Sequence, residues 1–164
     1  MPGLDVPALE APVPAVSIRR AGSAEIAALL ALGTEHATYE QLLHRAEADA
    51  LMAALAGQPP ALRAWLAWSG NDTVGYASAT RDFSTLDGAF FLHMDCLYVR
   101  PAWRNRAIGA QLWQAVLDAA PALGCAIVEW QTPHWNEDAA RFYRRLGAGE
   151  SIKRRYRFVL PTPP

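Results

Sequence analysis

Hydrophobic and polar positions change period several times along this chain, and each change marks an element. Val16 to Arg20 alternates and predicts a first strand. Ser23 can cap a helix to about His36, with Ile26, Leu29, Leu30 and Leu32 inward and Gly33 weakening its end. A second helix is predicted from about Glu47 to Ala56, turning Leu51, Met52 and Leu55 inward. Gly57 ends it and Pro59-Pro60 prevent its continuation. Leu62 to Trp68 and Thr73 to Thr80 are strand-like, and Ser69-Gly70-Asn71-Asp72 between them is hairpin-turn chemistry. A polar loop is expected over Arg81 to Gly88, then an apolar strand from Phe90 to Val99 that Pro101 closes. Ile108, Leu112, Ala115, Val116 and Ala119 share one helical face, and Pro121 and Gly124 end that helix. Ala126 to Thr132 is a further strand. Asn136 then caps a short helix, with Glu137 and Asp138 in its first turn, Arg144 and Arg145 in its last, and Gly147 after it. Ile152 to Leu160 is expected as a last strand.

The order is β-α-α-β-β-β-α-β-α-β. Strands Phe90–Val99 and Ala126–Thr132 flank a helix, so they should be parallel with a right-handed crossover. The earlier strands are joined by short turns and should be antiparallel. An α/β fold follows, with a mixed, mostly antiparallel sheet and helices on both faces.

The length of 164 residues suits one domain with a sizeable core, expected over 16–160. Residues 1–15, with Pro2, Pro7, Pro12 and Pro14, read as a flexible tail, and 161–164 as a short C-terminal one. A formal net charge of -1 gives no global reason to expect nucleic acid or a membrane surface as partner. Cys96 and Cys125 make no disulfide framework, and no Cys or His spacing resembles a zinc site. No apolar run reaches the ~18 residues of a membrane span. No signal-like segment opens the chain, so a soluble cytoplasmic protein without a metal is expected.

Candidate chemistry begins at Arg104-Asn105-Arg106-Ala107-Ile108-Gly109, a short basic loop between an apolar strand and a helix. A helix start presents unpaired N–H groups and the positive end of the macrodipole, which suits an anion. Gly-Lys-Ser/Thr is absent, and of the three glycines of a dinucleotide loop only Gly109 stands. Arg-x-x-Ala-x-Gly resembles the acetyl-CoA pyrophosphate loop of the GNAT N-acetyltransferases, usually Gln/Arg-x-x-Gly-x-Gly/Ala. Ala107 takes the place of the usual first Gly; an Ala tolerates helical φ/ψ, so its amide can still point at a phosphate, with its methyl narrowing the approach. A basic loop before an ordinary core helix is the bland alternative.

Trp135-Asn136-Glu137, Phe142-Tyr143-Arg144-Arg145 and Gly147-Ala148 are more specific. They resemble the GNAT segment in which an Asn caps a short helix bearing an aromatic-Tyr pair, most closely in the spermidine/spermine (diamine) acetyltransferases. Ile18-Arg19, Leu29-Leu30 and Tyr39-Glu40 also have counterparts there. The resemblance covers roughly Ile18 to Leu160. It implies the GNAT fold, with a central parallel strand pair splayed apart, and acetyl-CoA as cofactor. Backbone N–H groups of Arg104, Asn105, Arg106, Ala107, Ile108, Gly109 and Ala110 would hold the pyrophosphate. The pantetheine arm would lie along Leu97, Tyr98 and Val99, with the Leu97 N–H as oxyanion donor, and Asn136 could bond pantetheine or a water.

The resemblance further implies Tyr143 as general acid for the leaving thiolate and Asp95 as base, usually through water. A packing Tyr and a hydrogen-bonded strand carboxylate are the structural alternatives. His93, two residues from Asp95 and on the same face of a regular strand, is another candidate base. Phe142 is expected in the core. Glu35, Tyr39, Glu40, Asp82 and Asp95 are candidate contacts to a small-molecule amine, Glu40 and Asp82 because related positions help hold a polyamine's cationic nitrogens. Cys96 stands where the diamine enzymes have a second strand acid, and Ser84 where they have an aromatic. The expected activity is transfer of an acetyl group to a primary amine by direct attack in a ternary complex. An acyl-CoA-sensing module without catalysis and an aminoglycoside-type acetyltransferase are the alternatives. By the same resemblance, a homodimer is expected through the last strand.

Overall fold

The computed structural model describes residues 15–161. Two compact units divide the chain, one up to Gln131 and one from Thr132.

The first unit is a five-stranded sheet in sequence order: β1 (Val16–Arg20), β2 (Arg63–Ser69), β3 (Asp72–Ser84), β4 (Ala89–Val99) and β5 (Val128–Trp130). β1 to β4 are antiparallel and β4–β5 is parallel, as the connections dictate. Helices α1 (Ile26–Tyr39) and α2 (Ala48–Ala56) precede β2, and α3 (Ile108–Ala119) makes the crossover from β4 to β5. Leu29 and Leu32 of α1 pack with Ala64, Leu66, Tyr76 and Tyr98 of the sheet, and Leu55 of α2 joins them. Each such aliphatic side chain contributes about 1.5–3 kcal/mol by leaving water. On the other face α3 buries Ile108, Leu112 and Val116. A Cβ at Gly75 would lie 3.3 Å from Leu112 Cδ1 and 2.7 Å from the Tyr98 carbonyl oxygen, so glycine is what lets β3 lie so close to β4 and α3 there.

Several boundaries differ from the sequence expectation. Ser23 does not cap α1. It opens a 3₁₀ turn, Ser23–Glu25, in which the Glu25 carboxylate accepts from the Gly22 N–H at 2.8 Å. α1 continues to Tyr39, past the end expected near His36, so Tyr39 is helical as well. Gly33 sits inside it because the His44 ring lies against that spot: a Cβ there would meet Nε2 at 2.8 Å. Met52 is exposed, on the outer side of α2. The polar stretch after Thr80 stays in β3 through Ser84, because Arg81, Asp82, Phe83 and Ser84 pair with Leu92, Phe91, Phe90 and Ala89. The Phe83 and Phe90 rings meet edge-on at 5.0 Å between centroids, which extends the hairpin past its buried part. β5 is shorter than expected, and Ala126 and Ile127 are exposed.

In the second unit α4 (Glu137–Arg145) is capped by Asn136, whose Oδ1 accepts from the Ala139 N–H at 3.1 Å. Gly147, at φ +84°, turns the chain out of it. The expected last strand does not form: residues 151–160 are exposed and carry no strand. The alternation that suggested it placed Arg154 among the apolar positions, so neither face is apolar throughout. Phe142 is half-buried rather than a core residue. The expected tails, 1–15 and 161–164, fall almost wholly outside the described residues.

Candidate active site

The phosphate-loop motif lies between Pro101–Trp103, a 3₁₀ turn, and α3. Asn105 (φ +61°) and Ala107 (φ +58°) are both left-handed. Ala107 is therefore not helical, although an Ala would tolerate that, and it holds a conformation that favours glycine. It is the N-cap of α3 and offers no side-chain cap. The first-turn amides of Ile108, Gly109 and Ala110 consequently have no side-chain acceptor at the helix start, the arrangement that binds anionic oxygen.

Three contacts brace this end of the sheet. Arg100 grips Glu35 with Nε at 2.9 Å and Nη2 at 2.7 Å, and its Nη1 donates to the Thr73 carbonyl at 2.7 Å. Glu35, a candidate substrate contact, is thus tied to the end of β4. Arg104 Nε donates to the Val99 carbonyl at 3.0 Å, and its guanidinium lies over the Tyr39 ring at 4.6 Å and near Tyr98 at 5.8 Å. Tyr39, half-buried, therefore packs under a loop arginine.

β4 carries two irregularities. Its pairing with β5 ends at Met94↔Trp130, so Leu97, Tyr98 and Val99 lie beyond the last β4–β5 pair. Its register with β3 passes from Met94↔Ala79 to Cys96↔Ser78, which leaves Asp95 as the extra, bulged residue. The bulge breaks the simple alternation that put His93 and Asp95 on one face. His93 instead approaches Asp82, Nδ1 to Oδ2 at 3.7 Å, and Asp82 Oδ1 accepts from the Thr80 hydroxyl at 3.0 Å.

Asp95 lines a cavity of about 260 Å³ between α1, α2 and the sheet, with His36, Glu40, Tyr76, Ser78 and Cys96 among its polar walls and Leu29, Leu42 and Leu51 among its apolar ones. Glu40 and Asp95 are therefore brought together, while Asp82 is absent from that wall. Sequence reasoning did not single out His36 or Tyr76. The ring of His36 links Glu40 Oε1, 3.3 Å from Nε2, to the Tyr76 hydroxyl, 3.0 Å from Nδ1, and stacks on Tyr98 at 5.1 Å. The i, i+4 spacing of His36 and Glu40 was the available signal. Its partner Tyr76, forty residues away, could be placed only by the sheet register.

Burial and the neighbouring Cys96 push the Tyr76 phenol well above its ordinary range. Burial and the Asp95 carboxylate push the Cys96 thiol up to about 12. Both groups keep their protons at neutral pH and take part only as neutral hydrogen-bonding groups. The acids of the cavity are thus Glu40 and Asp95, which suit a cationic ligand.

In the second unit Tyr143 is half-buried on α4, its ring 5.0 Å from that of Phe142. Arg144 pairs with Glu150 at 2.8 Å and Arg141 with Asp138. Among the described residues no group of His, Cys, Asp and Glu could hold a metal ion, and no helix is long and apolar enough to cross a membrane. Both cysteines are free.

Comparison with known proteins fits this geometry. An aminoglycoside acetyltransferase from an uncultured soil metagenomic sample superposes with a TM-score of 0.75 over 88% of this chain and 97% of that one, at 18% identity. An aminoglycoside N-acetyltransferase in complex with CoA superposes at 0.73 over 92% and 99%, at 20% identity. The architecture is thus the one acetyltransferases are built on. Residues 29–148 match the model of the acetyltransferase (GNAT) family, and the chain belongs to that family and is an N-acetyltransferase. Thialysine N-epsilon-acetyltransferase of Bos taurus is 29% identical over 143 residues, 81% of this chain and 84% of that one. The Caenorhabditis elegans enzyme of the same name is 30% identical over 83 residues, and the match spans about half of its length, 51%.

Proposed function

We propose that the protein transfers the acetyl group of acetyl-CoA to a primary amine of a small diamine-like or amino-acid-like cation, by direct attack in a ternary complex. The observation that carries this reading is the cavity whose acids, Glu40 and Asp95, stand beside the bulge of β4. A volume of about 260 Å³ suits a short linear amine. The relatives named for thialysine support the amino-acid-like choice. The residues fit the cofactor: the uncapped amides of Ile108, Gly109 and Ala110, with Arg104, Asn105, Arg106 and Ala107 before them, suit the pyrophosphate. Leu97, Tyr98 and Val99 would pair with the pantetheine, and Asn136 would add a hydrogen bond.

Acetyl-CoA supplies the activated thioester carbonyl. The roles of this chain's residues follow from what that transfer requires. Glu40 and Asp95 hold the ammonium group, with Glu35, Tyr39 and Asp82 outside the cavity wall. Asp95, through water, takes the proton that must leave before the nitrogen can attack; the His36–Glu40 pair provides a second place for it. The Leu97 N–H hydrogen-bonds the carbonyl oxygen as it gains charge. Tyr143 gives its phenolic proton to the departing sulfur. The exposed apolar residues Ile152, Tyr156, Phe158, Val159 and Leu160 supply a homodimer contact, and a cytoplasmic setting keeps the two thiols reduced.

An amine panel with free CoA thiol as readout tests the proposal, using the parent and Tyr143→Phe. Thialysine, lysine, ornithine and short diamines should turn over. The variant should keep acetyl-CoA affinity and lose ~10²–10⁴ in turnover, the usual worth of a positioned acid. No thiol release with any amine refutes the activity, and near-parental turnover in the variant refutes the role of Tyr143.

A further inference from the structure

A second cavity, of about 390 Å³, shares no residue with the one just described. Pro59 and Pro60 before β2, Arg63 of β2, Arg81 of β3, and Ala122 and Leu123 after α3 form its wall. No residue of the phosphate loop lines it, and the transfer reaction proposed above uses none of its residues.

Its charge is of one sign. Arg63 is buried, at 7% exposure, yet its Nη1 reaches only the Pro60 carbonyl, at 3.2 Å. Arg81 Nε donates to the Leu123 carbonyl at 2.8 Å, and its guanidinium carbon lies 3.2 Å from the centre of the Phe90 ring. These bonds occupy carbonyl acceptors that the wall itself provides. Burial, then the like charges of Arg20 and Arg81, depress the Arg63 pKa. Among the described residues none of the three arginines has a carboxylate in ion-pairing range. Arg63, buried as a residue and on the wall of the cavity, thus brings a guanidinium without a counter-charge to it, and the fork of an arginine matches the paired oxygens of an oxyanion.

We propose that this cavity is an anion-binding site, in which the Arg63 and Arg81 guanidiniums grip one carboxylate or phosphate group of a small molecule. Arg63, fixed within β2, supplies a preset fork. Arg81, held at Nε by Leu123 and by the Phe90 ring, turns its Nη groups to the same ligand. Arg20 adds long-range attraction.

The test uses the full chain and two probes, inorganic phosphate and citrate, followed by amide and arginine-Nε NMR shifts. The start of α3 is also an anion site, so location decides the assignment. Saturable shifts at Leu123, Gly124 and Arg81 Nε, with dissociation constants on the order of 1 mM or below, are expected. Whichever probe saturates first identifies the phosphate or the carboxylate as the preferred group. Arg81→Gln, at an exposed position, should abolish those shifts while any at Ile108 to Ala110 persist. Arg63→Lys, which keeps the charge and loses the fork, should weaken binding about tenfold. Shifts confined to Ile108–Ala110, a uniform drift that does not saturate, or saturation unchanged in Arg81→Gln would each overturn the proposal.

Discussion

Replacing Ala107 by glycine should stabilise the protein, the reverse of the usual sign at a helix boundary. Ala107 sits at φ +58°, ψ 7°. An L-residue with a Cβ pays about 1–2 kcal/mol for that left-handed conformation, and glycine does not. Against this stands roughly 0.5–1 kcal/mol for glycine's greater freedom in the unfolded chain. The difference is a gain of about 0–1.5 kcal/mol, or up to about 3–6 °C in Tm for a chain of this size. Ala110→Gly is the control. It lies in the first turn of α3, where glycine brings only its entropy and should cost about 0.5–1 kcal/mol. Parallel thermal and urea unfolding measures both signs. Calorimetry with acetyl-CoA adds a second readout, since removing the methyl opens the approach to the backbone and should tighten binding. If Ala107→Gly destabilises as much as Ala110→Gly, the left-handed turn into α3 is wrong.

Three further predictions test other parts of the molecule. Gly75→Ala puts a Cβ 2.7 Å from the Tyr98 carbonyl oxygen, so β4 must move; a loss of about 1–3 kcal/mol in urea unfolding is expected, and unchanged stability would contradict the close packing. The Cys96 thiol, pushed up to about 12 from an unfolded value near ~8.5, is protonated more readily in the folded protein. Stability should therefore fall as pH rises through that window, Cys96→Ala should flatten the fall, and native-state alkylation of Cys96 should stay slow near pH ~9. Glu40→Gln removes one of the cavity's acids and the partner of His36. KM for cationic amines should rise about tenfold with acetyl-CoA affinity unchanged, and an unaltered KM would move the amine elsewhere.

What could be read in the residues was local. Asn136, with acids after it and Gly147 beyond, announced its helix because a cap is a matter of a few adjacent side chains. The apolar face of α3 announced its packing, and the crossover length announced the parallel pair. What failed depended on partners distant in sequence. Arg81 to Ser84 looks like loop chemistry until Phe90 and Phe91 are placed opposite. Ile152 to Leu160 looks like a strand, but alternation alone supplies no neighbour for it. The candidate site divides the same way. The phosphate-loop motif is contiguous and was legible, whereas the backbone sign at Ala107 is invisible in its identity. Glu40 and Asp95 were each singled out, but their meeting in one cavity with His36 and Tyr76 needed the register of β3 against β4.

The bulge at Asp95 acts on β4 as an inserted letter acts on a reading frame. Before it, Leu92 and Met94 are buried without joining the cluster under α1; after it, Cys96 and Tyr98 join that cluster although the spacing of two continues unbroken. One strand is thereby written in two phases, and each half answers to a different helix layer. Deleting a single residue between Met94 and Cys96 would leave composition and length almost untouched. It would take out the inserted letter itself: Cys96 and Tyr98 would stay opposite Ser78 and Tyr76, on the face they now occupy. A one-residue deletion elsewhere in β4, where no residue is extra, would instead turn one half of the strand over.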